Sequence, residues 1–219
     1  MARKQNRRKA SPAATVLTVL VLAALFVWRM LSPEDGKTQI TLPSGELHVW
    51  FLDVGQADSS LLVCDGQAML IDGGNVDDAS YVVSSLEQYG VTSLDYVINT
   101  HCDEDHVGGL AGVLAKFPAG HVWSSTAEYG TKAFSNFVKY ANEQGRDIEI
   151  LSPGDTFTLG EAEITVLGPL RDYENNNENS IVLRVDYGGT SFLFTGDMGI
   201  TAEDELVESG ARLDATVLK

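Results

Sequence analysis

The run LDYVINT, Leu94 to Thr100, is apolar almost throughout and is followed at once by HCDEDHVGG. A strand with apolar side chains on both faces must be covered on both. This demands layers on either side of a sheet, and it puts a cluster of ionisable side chains at one strand end. Short apolar segments broken by Gly and Asp lie upstream. LHVWFLDVG, SSLLVCDG and QAMLIDGG read as three consecutive strands from Leu47. The period then changes. Tyr81, Val82, Leu86 and Tyr89 share a helical face between Asp78 and Tyr89, and Gly90 is a natural stop. DHVGGLAGVLAKF predicts a helix, HVWSS a strand, and Thr131 to Glu143 another helix.

The second half repeats the theme. IEILSPGDTFTLGEAEITVLGP reads as strands joined at Pro-Gly and Leu-Gly turns. Val182, Arg184 and Asp186 alternate before Gly188-Gly189 and Phe192 to Phe194, which predicts a hairpin. TAEDELVES predicts a helix with Thr201 as N-cap. Two β-rich halves, each followed by helices, predict an α/β sandwich with helices outside packed sheets. LDATVLK reads as the opening of a buried strand, so the domain over 47–219 is expected to be incomplete at its C-terminus.

Charge divides the chain. Six of the 15 Lys and Arg residues and no acid lie before Pro33, leaving nine against 31 Asp and Glu, a net −22, in residues 33–219. Such a charge repels a polyanion and argues against a general DNA-coating protein. Ala10 to Trp28 is an uncharged run of 19 residues, about 28 Å as a helix and close to a bilayer's hydrocarbon core. The expected layout is a basic cytoplasmic tail (1–9), a transmembrane anchor (10–31), a linker (32–46) and the domain. Five basic residues before the run place the domain outside the cell membrane, as a single-pass protein. A cleaved signal peptide is the rival reading. The two cysteines, Cys64 and Cys102, are too few for a disulfide scaffold, and Cys64 reads as a buried thiol on a strand.

His101, Asp103, Asp105 and His106 fall within six residues, after a strand and before a helix. A turn there lets alternate side chains converge, and imidazole with carboxylate suits a transition metal. A solvated loop with a helix N-cap explains the acids but not two of the chain's four histidines. Asp197 in FLFTGDM is a bridging ligand if its strand end lies beside the first. Asp72 in LIDGG serves a turn or orients a ligand histidine. Asp53, Gln56 and Asp58 surround a tight Gly turn in DVGQADSSLLV. His48 and His121 lie outside the motif and are expected not to be ligands.

The motif resembles the HxHxDH signature of the metallo-β-lactamase fold, with Asp103 at the place of its second His. DVGQAD, LIDGG, HCDEDHVGG, NENS (Asn177 to Ser180) and LFTGD come in the order found in the C-terminal hydrolase domain of the competence protein ComEC and its stand-alone relatives. Ala57 stands where that family has Gly, and in the family the last strand leads into HHGS. The resemblance covers Leu47 to Lys219 and implies an αββα sandwich with two divalent metal ions. It implies that His101 and Asp103 hold one ion, that Asp105 and His106 hold the other, and that Asp197 bridges them. Asp105 is also a candidate proton acceptor, and Asp58, Asp72 and Asn179 are candidate supports. An oxygen-rich donor set makes Mn²⁺ as plausible as Zn²⁺. The implied function is metal-dependent phosphodiester hydrolysis, nuclease-like and with nucleic acid as one candidate substrate. The alternatives are an esterase or lactonase on small cell-surface molecules, or a metal-poor, non-catalytic binding module.

Overall fold

The computed structural model describes residues 42–219. Its first sheet has six strands in the order β1-β2-β3-β4-β5-β6: Leu47–Phe51, Ser60–Cys64, Gln67–Ile71, Leu94–Asn99, Ala119–Ser124 and Glu149–Ile150. The first three strands are antiparallel, and β3 through β6 are parallel. The second sheet runs β11-β10-β9-β8-β7: Val217–Leu218, Thr190–Phe194, Val182–Tyr187, Ala162–Gly168 and Thr156–Leu159. Helices α1 (Ala79–Gln88), α2 (Glu104–Val107), α3 (Leu110–Lys116) and α4 (Lys132–Glu143) follow strands of the first sheet, and α5 (Ile200–Glu208) follows β10.

Strand alternation sorts the core into three layers. Leu61, Val63, Leu70 and Val97 pack with Val82 and Leu86 of α1, Leu110 and Val113 of α3, and Phe134 and Phe137 of α4. Their neighbours Leu62, Met69, Ile71 and Ile98 face Ile164, Val166, Leu183 and Val185 of the second sheet. On that sheet's far side, Val182 and Leu193 pack with Leu206 of α5. One period-2 pattern thus serves two interfaces, which is why β2 is buried throughout. Cys64 and Cys102 are both buried and unpaired, and they belong to different layers. The predicted αββα sandwich is formed.

Three expectations are corrected. The fold was expected to be preceded by a membrane-spanning helix, but no helix among the described residues is long and apolar enough to cross a membrane. The longest described helix, α4, has 12 residues, a rise of about 18 Å against a hydrocarbon core of about 30 Å. The span expected over 10–31 and the basic tail lie outside the described residues.

The helix expected over DHVGGLAGVLAKF is two helices, α2 and α3, divided at Gly108-Gly109. The backbone of residues 73–76 presses against this point. A Cβ on Gly109 would lie 2.0 Å from the Gly73 carbonyl oxygen, so the break is also a close packing contact. Finally, the N-cap of α5 is Gly199 rather than Thr201. The Glu178 carboxylate takes the amides of Thr201 (3.4 Å) and Ala202 (2.7 Å), doing from a distant loop what a local hydroxyl was expected to do.

Candidate metal centre

The ends of β3, β4 and β10 and the segment entering β9 meet at one edge of the two sheets. Backbone hydrogen bonds lock the motifs together there. The Asp58 amide donates to the Asp105 carbonyl (3.0 Å), the Gly74 amide to the Asp58 carbonyl (2.8 Å), and the Gly73 amide to the His106 carbonyl (2.7 Å). DVGQAD, LIDGG and HCDEDHVGG therefore form one unit, although up to about fifty residues separate them in sequence.

Asp72 is the hub. Its backbone is left-handed, with φ of 59°, a conformation that Asp tolerates better than most residues. The turn aims its buried carboxylate inward. Oδ1 accepts the Thr100 amide at 2.8 Å, and Oδ2 accepts the Thr100 hydroxyl at 2.7 Å and His106 Nδ1 at 2.8 Å. Since the only hydroxyl proton of Thr100 goes to Asp72, the contact between Thr100 Oγ1 and His101 Nδ1 at 3.3 Å requires the ring to donate. One carboxylate thus holds the Nδ1 protons of both histidines, directly or through Thr100, and turns both Nε2 atoms outward.

His101 is fully buried, yet its Nε2 has no hydrogen-bond partner. Burial, and then the neighbouring His106, push its pKa below the ordinary value, so the ring is neutral with a free lone pair. The Asp103 carboxylate lies 3.6 Å from that nitrogen. His106 Nε2 lies 3.3 Å from Asp197 Oδ1, and the two rings are 4.1 Å apart. Burial disfavours a charge on His106, but the Asp72 hydrogen bond and the charges of Asp72, Asp197 and Asp58 outweigh it and raise its pKa to about 9. The ligand atoms of His101, His106 and Asp197 lie within 4.8 Å of one another, as do those of Asp58, Asp72 and His106. A buried, orphaned imidazole nitrogen beside a second imidazole and carboxylates fits a divalent cation.

The remaining expected site residues lie around this set. The Asp105 side chain accepts Gln56 Nε2 at 3.3 Å and is outside both convergent groups. Asp58 is paired with Lys219 Nζ, and burial and Asp72 raise its pKa. Asn179 closes its own loop, with Oδ1 accepting the Tyr173 amide and Nδ2 donating to the Tyr173 and Asn175 carbonyls. Asn176 reaches Asp103 instead, at 2.8 Å. Neither Asn176 nor Lys219 carries a signal of its own in the sequence, since both act across the fold. His121 pairs with Glu149 on β6, and burial pushes the Cys102 thiol up to about 12, which keeps it protonated. Beside Asp103, a cleft of about 460 Å³ is lined by Ser125, Glu128, Tyr129, Asp172, Glu174 and Asn176 among others.

Comparisons with known proteins bear on the family and the fold. The chain is 32% identical over 202 residues to competence protein ComA of Neisseria gonorrhoeae, which is 91% of this chain and 26% of that protein. It is 28% identical over 218 residues to ComE operon protein 3 of Bacillus subtilis (strain 168), again 91% and 26%. The chain thus spans about a quarter of the length of these curated relatives. These are the competence-type proteins that the motif order resembles. The solved Rm3 metallo-beta-lactamase superposes with a TM-score of 0.55 at 15% identity, covering 83% of this chain and 78% of that one. MIM-2 metallo-beta-lactamase gives 0.53 at 18% identity, covering 74% and 68%. At such identities these two structures share the fold. The family model of the metallo-beta-lactamase superfamily matches residues 52–217, and the chain belongs to that superfamily.

Proposed function

We propose that this domain is a metal-dependent hydrolase of phosphodiesters. The observation that carries the reading is the buried, unpartnered Nε2 of His101, set among Asp103, His106 and Asp197. In this reading His101, Asp103, His106 and Asp197 would hold the divalent metal, and Asp105, whose side chain rests on Gln56, would turn to join them. Such ions, Mn²⁺ or Zn²⁺, supply Lewis acidity toward a phosphoryl oxygen and lower the pKa of water. The protein residues do the rest. Asp72 fixes both rings through their Nδ1 protons, directly and through Thr100, and Asp105 accepts the proton of the attacking water. The buried wall formed by His101 and Thr100 excludes solvent from one side.

The neighbouring cleft supports a refinement of the substrate. Glu128, Asp172 and Glu174 line it, and among the described residues no Lys, Arg or His does. With the domain's net −22, this favours a small diester, or a single local linkage, over the tracking of a long polyanion.

The test is hydrolysis of bis-p-nitrophenyl phosphate with Mn²⁺, Zn²⁺ or chelator, beside p-nitrophenyl acetate as the carboxylic ester. Metal-dependent diester turnover, abolished in Asp105→Ala, is expected. Turnover of the ester alone indicates the esterase or lactonase reading. Metal binding without either activity indicates a binding module, a reading favoured by one observation, that among the described residues only two imidazoles converge at the site.

A further inference from the structure

Asp103 occupies the N-cap position of α2, where an Asp side chain ordinarily accepts an amide of the helix's first turn. Here the side chain makes no capping hydrogen bond. Its Oδ1 accepts Nδ2 of Asn176 at 2.8 Å, and its Oδ2 faces His101 Nε2 at 3.6 Å. The amide orientation at Asn176 follows from chemistry, because the opposite flip would set a carbonyl oxygen against a carboxylate. Asp103 is 43% exposed, so nothing in local packing holds it out of the cap or out of solvent.

The loop bearing Asn176 is itself braced. Asn179 ties it to Tyr173 and Asn175. Tyr173 Oη and Arg171 anchor it to Glu205 on α5. Its far end fixes Asp197, whose amide donates to Ser180 Oγ at 3.1 Å. One short loop therefore touches the carboxylate of Asp103 and the backbone of Asp197.

We propose that Asn176 is a positioning residue of the metal centre, diverting the Asp103 carboxylate from helix capping to cation binding. This rests on the reading of Asp103 as a ligand. An amide suits the task, since it fixes one oxygen without cancelling the negative charge that a cation needs, whereas Lys or Arg would cancel it. Without Asn176, Asp103 can rotate to cap α2 or point to water, and each binding event must then reorder it.

The test is a double-mutant cycle on Mn²⁺ affinity, read by calorimetry and by the spin-resonance signal of free Mn²⁺, with Asn176→Ala, Asp103→Ala and the double variant. Asn176→Ala should weaken Mn²⁺ binding about tenfold with little change in the melting temperature of the metal-free protein. In the Asp103→Ala background the same change should have almost no effect, because the residue it acts through is gone. Asn176→Gln, which keeps the donor, should recover part of the loss. Equal weakening in both backgrounds, or none in either, overturns the inference while leaving the metal site intact. A wild-type protein that binds no Mn²⁺, or an Asp103→Ala variant that binds it as well as wild type, overturns the ligand reading itself and the inference with it.

Discussion

Asp72 grips His106 through a 2.8 Å hydrogen bond to Nδ1, and the same carboxylate oxygen also takes the Thr100 hydroxyl that meets His101. Both imidazoles are therefore oriented from one point. Asp72→Asn keeps the shape and tolerates the left-handed backbone, but it removes the charge that favours Nδ1–H on His106. Divalent-ion affinity should fall about 10- to 100-fold, and the His106 pKa should drop from about 9. Mn²⁺ calorimetry and ring-nitrogen NMR measure both. Unchanged values would mean that Asp72 serves the turn alone.

Metal binding should release a proton. In the metal-free protein His106 is protonated below about 9, so Nε2 is not free for a cation. Apparent affinity should therefore rise about tenfold per pH unit and level off near pH 9. Stability of the metal-free protein moves the other way. The folded pKa lies above the ordinary value of 6.5, so this contribution is fully present below about pH 6.5 and is lost as pH rises through about 9. Titrations and melts from about pH 6 to pH 9 check both signs.

Gly109→Ala tests the packing of α2 and α3 against the Asp72 turn. The added methyl would lie 2.0 Å from a backbone oxygen that cannot move freely. A loss of about 3 kcal/mol is expected, read by urea unfolding. A near-neutral change would show that the two helices can shift apart.

Glu178→Ala removes the carboxylate that receives the first amides of α5. The cost should be about 1 kcal/mol, and partly recovered in Glu178→Gln. Hydrogen exchange should quicken at Thr201 and Ala202. Unaltered protection there would mean that solvent caps the helix equally well.

Local patterns were legible in the sequence, and contacts across the fold were not. The short apolar runs LLVC and AMLI, bounded by Asp and Gly, identify β2 and β3, and the Gly188-Gly189 turn identifies the last hairpin, because run length and turn chemistry are properties of neighbours. The pairing of His101 with His106 follows from their place after a strand end. The division of α2 from α3 was missed, since GG inside an apolar run is compatible with a continuous helix until the 73–76 backbone is placed against it. Glu178 capping α5 and Asn176 holding Asp103 join residues 24 or more positions apart. Sequence spacing carries no trace of such pairs. Gln56 holding Asp105 is another of this kind.

His101, His106 and Asp197 converge as a divalent-cation site would require. The most direct test of cation binding there is an anomalous-difference map from crystals soaked in Mn²⁺. A peak is expected about 2.0–2.3 Å from His101 Nε2 or His106 Nε2 and in contact with Asp197, lost in His101→Ala. Ordered Mn²⁺ found only elsewhere, with none at this cluster in a fully soaked crystal, would contradict cation binding at this site.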